Sequence, residues 1–340
     1  MNRHECIASI IPSHSSHQDH AQAYAPTNIA LIKYWGKRNK ILNLPTNSSL
    51  SLSINPLGCQ TTIQLQHHAK MHIWQHNQQI ITSDTHRFQR LSQFLDDIRP
   101  NKDMYYSIIT ESNVPMAAGI ASSACGFAAL VKALDKLHGW HLSLSQMSIL
   151  SRMASGSACR SLWPGFVQWH CGAAENGLDS HGERLAVDWP ELQMGLLLIS
   201  SQSKKIGSTE AMTITQQTSP LYKNWPQQAH LDLEQLKAAL EQKDFWAFGE
   251  VLEKNACLMH QCMEKSTPPI RYTTPATEML RQAIGSLRHQ GVPIFFSQDA
   301  GPNLKCFFLQ ESLSDIKTVF PKLIHINPHQ ERQFPLKPLT

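Results

Sequence analysis

A run of small residues constrains this chain more than any other feature: positions 115–124 read Pro-Met-Ala-Ala-Gly-Ile-Ala-Ser-Ser-Ala. Before it, the apolar stretch 104–110 reads as a strand. After it, Phe127, Leu130, Val131, Leu134 and Leu137 recur at the spacing of one helix face, which Gly139 closes. A strand that turns through glycine and alanine into a helix lets a ligand approach the backbone closely. It also leaves the N–H groups of the first helical turn facing outward. Ser122 and Ser123 add hydroxyls that suit phosphate oxygens or magnesium. No Gly-Lys-Ser/Thr follows, so this is not the Walker form of a phosphate loop. An ordinary serine-capped helix packed tightly on a sheet fits the same residues equally well.

The rest of the pattern predicts a mixed α+β chain. Leu50, Leu52 and Ile54 alternate with serine over 49–55, as in a half-buried strand. Ile63 with Leu65, and Met71 with Ile73, alternate with Gln and His as further antiparallel strands. Phe88, Leu91, Leu95 and Ile98 form a helix face, with Asp84 as its cap and Pro100 as its stop. Helices are expected at 145–154, 231–240, 245–263 and 274–289. Strands are expected at 24–34, 166–170, 196–199, 294–297 and 304–309. The division falls near 190, giving a disordered leader 1–22, a domain 23–190, a second domain 191–328 and a tail 329–340.

Composition excludes more than it assigns. With 41% hydrophobic and 16% charged residues the chain can fill a core. Lys plus Arg number 30 against 26 Asp plus Glu, with no basic run, which argues against a nucleic-acid partner. The 8 cysteines form no Cys-x-x-Cys pair, as expected of reduced thiols in a cytoplasm. The short apolar stretch 6–12 does not read as a signal peptide, and no apolar run approaches the length of a membrane span, so neither is expected. The 18 histidines are scattered without ligand spacing, so solvated surface histidines are expected rather than zinc.

Four other segments carry chemistry-bearing residues. Residues 28–38 place Asn28, Lys33, Tyr34, Trp35, Gly36, Lys37 and Arg38 at the end of an apolar strand; cations beside aromatics also arise from simple snorkelling. Residues 154–161 form a small-residue loop of Ser155, Gly156, Ser157, Ala158 and Cys159, in which Arg160 can grip phosphate or carboxylate. Residues 298–303 put Asp299 in an Ala-Gly-Pro turn between two apolar strands. That carboxylate either caps its own turn or orients a hydroxyl proton for phosphoryl transfer. Residues 204–209 place Lys205, Ser208 and Thr209 before a helix, as a solvated loop or a phosphate-reaching one.

Taken in order, these segments resemble the mevalonate diphosphate decarboxylases, a branch of the kinase superfamily named for galactokinase, homoserine kinase, mevalonate kinase and phosphomevalonate kinase. The carriers are Ala25-Pro26-Thr27-Asn28-Ile29-Ala30, Lys33-Tyr34-Trp35-Gly36-Lys37-Arg38, Leu44-Pro45-Thr46-Asn47-Ser48-Ser49, the 115–124 loop, Gly156-Ser157-Ala158-Cys159-Arg160-Ser161 and Asp299-Ala300-Gly301-Pro302-Asn303. The resemblance implies a two-domain α+β fold. Its first half is like the second domain of ribosomal protein S5, its second half is ferredoxin-like, and the active site lies between them. It implies ATP and magnesium, with Gly119, Ala121, Ser122, Ser123, Lys205 and Ser208 on the ATP and Ser123 (or its neighbour Ser122) on the metal. Asn28, Tyr34, Trp35, Gly36, Lys37, Arg90, the 155–160 loop and Thr209 are implied to hold mevalonate 5-diphosphate.

Asp299, Lys33 and Arg160 are the implied catalytic residues, and a homodimer is expected. The implied reaction phosphorylates the 3-hydroxyl and then loses phosphate and carbon dioxide to give isopentenyl diphosphate. A phosphomevalonate decarboxylase, a mevalonate 3-kinase and an inactive nucleotide-binding relative are the alternatives. The sequence departs from the family pattern at Met116 for Thr, Pro164 for Gly, Gly207 for Ser and Ala211 for Gly. The last two changes bear on a lid over the phosphates.

Overall fold

The structure is a computed structural model that describes residues 2–13, 16–114, 122–200, 206–331 and 336. It opens with a short helix, α1 (Arg3–Ala8), followed by β1 (His20–Ile32). A ribbon of β2 (Lys37–Asn39) and β3 (Leu44–Pro45) precedes the long β4 (Ser49–Gln66), and β5 (Ile73–His76) with β6 (Gln79–Ile80) forms a hairpin. Helix α2 (His86–Ile98) leads to β7 (Tyr105–Ser112), and α3 (Ser122–His138) and α4 (Leu144–Ala154) lead to β8 (Gly165–Trp169) and β9 (Gly182–Arg184). The second half runs β10 (Leu192–Leu197), α5 (Ser208–Thr218), α6 (Trp225–Gln242), α7 (Phe245–Glu264), α8 (Pro275–His289), β11 (Ile294–Gln298), β12 (Leu304–Leu309), α9 (Leu313–Val319) and β13 (Ile324–Ile326).

Two sheets organise the two domains. Among the described residues the first is ordered β6-β5-β7-β4-β8-β9, with β1 pairing β4, and the second is ordered β11-β12-β10-β13. Strand β4 is long enough to serve three neighbours: Ser49–Ser53 pair with β8, Cys59–Gln66 pair with β7, and β1 runs antiparallel beside it. Helix α3 lies on this sheet through Cys125, Ala128, Ala129 and Ala133, small residues that permit close approach. One continuous core joins Ile29 and Leu31 of β1 to Leu252 and Met259 of α7, so the halves meet through apolar contact beside the end of β1. No helix among the described residues is long and apolar enough to cross a membrane.

Three expectations are corrected. The leader is not disordered throughout: Asn2 and Glu5 form a reciprocal capping box on α1, while Cys6, Ile7 and Ile10 are buried in the main core. An amphipathic turn with three buried apolar residues has enough area to dock. Helix α2 is capped by Thr85, whose hydroxyl accepts from Phe88 N at 3.2 Å, whereas Asp84 accepts from Thr82 Oγ1. Strand 49–55 is not half-buried. Its serines are as enclosed as its leucines, because the serine face backs onto the Arg160 segment: Ser49 Oγ accepts from Arg160 Nη1 and Ser53 Oγ donates to Arg160 O at 3.0 Å.

Candidate active site

A cleft of about 1550 Å³ opens between the two domains. Its floor is set by the end of β1. Beyond Ile32 the chain leaves the sheet, and two buried amides fix the backbone of Lys33: Asn255 Oδ1 accepts from its N–H at 2.9 Å, and Asn47 donates to its carbonyl at 2.9 Å. Asn255 is held in turn by Asp232 at 2.8 Å and Asn47 by the Trp225 indole at 3.1 Å. Helices α6 and α7 of the second domain therefore fix where a lysine of the first domain points.

That lysine meets Asp299. Lys33 Nζ lies 2.6 Å from Asp299 Oδ1, and Lys305 Nζ lies 3.1 Å from Oδ2, so each carboxylate oxygen has its own ammonium. Both lysines are buried, whereas a quarter of the Asp299 side chain is exposed toward the cleft. Burial alone would raise the Asp299 carboxyl, but the Lys305 and Lys33 charges outweigh it and hold the group far below the usual carboxylate range. Burial pulls the Lys33 ammonium down, opposed by Asp299. The turn is braced from behind. His260, whose imidazole burial pushes down to about 3, donates Nε2–H to the Asp299 carbonyl at 3.2 Å. Asn303 Oδ1 accepts from the N–H groups of Ile199 and Ser200 at 2.7 and 3.1 Å, fastening the turn to the exit of β10.

Arg160 forms the facing wall. It ends a short 3-10 segment, Gly156–Arg160, and is buried, with Nη1 2.5 Å from Ser49 Oγ, Nη2 3.5 Å from Asn28 Oδ1 and its Cζ 5.7 Å from the centre of the Trp169 ring. Asn28 also donates to Ser157 O and Ser161 Oγ, tying β1 to this segment. Tyr34 packs edge-on against Trp169 with ring centres 4.7 Å apart, and burial pushes its phenol up. A Cβ at Gly156 would come within 2.7 Å of the Tyr34 ring, so only glycine fits there without displacing it. Tyr34 Oη and Arg160 Nε are buried without a hydrogen-bond partner among the described residues, as expected where a ligand completes the polar set.

The cleft carries further cations at one end. Lys37, Lys40 and Arg90 line it together with Arg3. Arg90 donates to Ala154 O at 2.6 Å and lies over the Phe127 ring at 5.3 Å. Lys37 donates to Asn43 Oδ1 at 2.6 Å; burial, and then the Arg90 and Lys40 charges, bring its ammonium down to about 8.

The structure brings Asn28, Lys33, Tyr34, Trp35, Lys37, Arg90, Ser123, Ser155, Gly156, Ser157, Arg160, Ser208, Thr209 and Asp299 to one cleft. Three others stand behind its wall. Ala158 and Cys159 are fully enclosed, the Cys159 thiol bonded to Gly156 O at 3.0 Å. Gly36, at φ +114°, has a shape role: a Cβ there would overlap the Tyr222 hydroxyl that bonds Trp35 O. Gly119, Ala121, Lys205, Met116 and the side chain of Ser122 lie outside the described residues. Ser123 Oγ lies 3.4 Å from Ser155 Oγ, so hydroxyl oxygens face the start of α3. Hard oxygen donors suit magnesium, and no group of three His, Cys, Asp or Glu that could hold a metal occurs among the described residues. The Ser123 hydroxyl is a hard oxygen donor that could hold a magnesium ion. Gly207 caps α5 with no side-chain hydrogen bond, where a serine would supply one. Sequence reasoning missed Lys305, His260 and Asn255, and gave Asn303 only as part of the Asp299 segment; for Lys305 the signal was a lone charge inside the apolar run Leu304-Lys305-Cys306-Phe307-Phe308.

Comparison with known proteins gives the family. A model of the diphosphomevalonate decarboxylase-like N-terminal domain matches residues 25–182, and one of the mevalonate 5-diphosphate decarboxylase C-terminal domain matches residues 195–338. The diphosphomevalonate decarboxylase of Candida albicans is 37% identical over 308 residues, covering 85% of this chain and 84% of that protein. The mevalonate diphosphate decarboxylase from Enterococcus faecalis, in a structure concerned with mevalonate diphosphate-mediated ATP binding, superposes with a TM-score of 0.84 at 34% identity, over 90% of this chain and 95% of that one. A structure described as MDDEF in complex with MVAPP, AMPPCP and magnesium gives 0.85 at 34% identity over the same shares. On these matches and the site they enclose, the chain belongs to the diphosphomevalonate decarboxylase family of the galactokinase, homoserine kinase, mevalonate kinase and phosphomevalonate kinase superfamily.

Proposed function

We propose that this protein converts mevalonate 5-diphosphate and ATP into isopentenyl diphosphate, ADP, phosphate and carbon dioxide, as a step of the mevalonate pathway. The observation that carries the reading is Asp299, ionised between Lys33 and Lys305 and turned toward a cleft that Arg160 faces from the other domain. The domain architecture supports it: the second sheet follows a β-α-β-β-α-β order in which β10 and β12 are central, as in a ferredoxin-like domain. The first domain is read as like the second domain of ribosomal protein S5.

In this reading Asp299 accepts a hydrogen bond from the tertiary 3-hydroxyl and aims its oxygen at the γ-phosphorus of ATP. A carboxylate held so far down is a weak base, so it takes the proton only as phosphoryl transfer makes the hydroxyl acidic. The 3-phosphate then leaves with its C–O electron pair. The carboxylate carbon departs as carbon dioxide, and its C–C pair forms the alkene. Lys33 and Arg160 neutralise charge on the moving phosphoryl group and the departing phosphate. Magnesium, held by Ser123 and the nucleotide phosphates, would supply further neutralisation of the phosphate charge. The cation cluster of Lys37, Lys40 and Arg90 supports a diphosphate rather than a monophosphate at C5.

Side-by-side assays with mevalonate 5-diphosphate and 5-monophosphate, scoring carbon dioxide and ADP together, test this directly. Both products from the diphosphate are expected. Turnover of the monophosphate alone would replace the substrate, and ADP without carbon dioxide would make the protein a 3-kinase. Lys37 gives a pH signature. Its charge is present below about 8 and lost above it, so KM for the diphosphate should rise as pH passes that value. Lys37→Arg stays protonated and should flatten the rise, which approaches tenfold per pH unit in the limit that the charge is required. An identical KM profile in Lys37→Arg would remove Lys37 from anion binding.

A further inference from the structure

We infer that Arg3, in the N-terminal helix that precedes the family match beginning at residue 25, is a positioning residue for the anion-binding end of the cleft. The proposal rests on the diphosphate reading of that end. Three walls converge on this one guanidinium. Its Nε lies 2.7 Å from Asp97 Oδ2 on α2, and its Nη1 donates to Met153 O at 3.0 Å, at the end of α4, and to Ile41 O at 3.4 Å, in the turn between β2 and β3.

Each contact bears on a cation or loop already placed at the site. Asp97 is on the same helix as Arg90, whose own guanidinium bonds Ala154 O, one residue past the carbonyl that Arg3 takes. Asn43 donates to Arg152 O and Met153 O, both at 3.0 Å, and accepts from Lys37 Nζ. The last carbonyls of α4 have no partner within the helix, and Arg3, Asn43 and Arg90 supply one to each. The next residues along the chain are Ser155, Gly156 and Ser157. Arg3 thus joins the Lys37 turn, the Arg90 helix and the 155–160 segment on a single planar fork, a geometry that lysine's point charge cannot reproduce.

Its support is itself secured. The reciprocal cap of Asn2 and Glu5 starts α1, and Cys6, Ile7 and Ile10 anchor it in the core. The Cys6 thiol reaches Asn176 O at 3.5 Å.

The test titrates inorganic diphosphate calorimetrically into the full chain and into Arg3→Ala and Arg3→Lys. In Arg3→Ala the Kd should weaken about tenfold, the effect of losing one charge-assisted hydrogen-bond set, and in Arg3→Lys by about threefold. With mevalonate 5-diphosphate as substrate, KM should rise in the same order while kcat changes little. Wild-type Kd in both variants overturns the proposal, as does a wild type that does not bind diphosphate at all. A purely structural role would lower thermal stability without moving Kd. If Arg3→Ala does not fold, Arg3→Lys decides by the same criterion. The titration needs no turnover, so a wild type inactive on mevalonate 5-diphosphate would sink the functional reading and leave the Arg3 test intact.

Discussion

Asp299→Asn should lower kcat by about a thousandfold while nucleotide still binds, since a positioned proton-handling group is worth roughly two to four orders of magnitude. The amide cannot accept a proton, and its nitrogen would face one of the two ammonium groups. Lys33 Nζ at 2.6 Å and Lys305 Nζ at 3.1 Å would then be two buried like charges without their shared counter-ion. Removing one member of a buried ionic set costs about 3–5 kcal/mol. A second variant keeps folding and chemistry apart: Asp299→Asn with Lys305→Met removes one of the stranded charges. It should regain thermal stability relative to Asp299→Asn and remain as inactive. Single-turnover ADP release and a fluorescent-nucleotide titration measure turnover and binding, and thermal melts of the two variants measure the stability. A kcat within tenfold of wild type would exclude Asp299 from the reacting atoms.

This site also marks where the sequence was legible and where it was not. The apolar alternation of Leu50, Leu52 and Ile54 and the helix face of Phe88 to Ile98 are local patterns, and both elements form where they were read. Their surroundings are not local. The serines of β4 look solvent-facing in a list of residues, yet they are buried because Arg160, more than a hundred positions later, folds back onto them. Lys305 tells the same story. In sequence it is an anomalous charge in an apolar strand, and only the pairing of β12 with β11 and the intervening turn bring it to Asp299. The polar leader obscured a capping box with three apolar residues behind it, because a six-residue helix has too little periodicity to register. Motifs were therefore readable one at a time; the second lysine, the Asn255 brace and Arg3 depend on contacts between distant parts of the chain.

Arg160→Met should show the opposite pairing of effects from a structural mutation. Arg160 is 2% exposed, and among the described residues it has no ion-pair partner: its guanidinium meets the Ser49 hydroxyl, the Asn28 amide oxygen and the Trp169 ring. Burial pulls even this guanidinium down from its ordinary value, although the Asp299 charge across the cleft opposes the shift. Neutral acceptors do not repay the desolvation of a buried cation as a carboxylate would. The free protein therefore holds a charge at a loss, and an incoming anion recovers it. Replacing that charge with an apolar side chain of similar length should leave the melting temperature of the free protein unchanged, or raise it by about 2 °C. It should also lower kcat/KM by roughly a hundred- to a thousandfold, the range for losing a preorganised donor to developing charge. Substrate should raise the melting temperature of the wild type and barely move that of Arg160→Met. Scanning calorimetry with and without mevalonate 5-diphosphate, beside steady-state kinetics, measures both signs. A variant that melts several degrees lower and keeps its kcat/KM would make Arg160 a packing residue of the β4 wall.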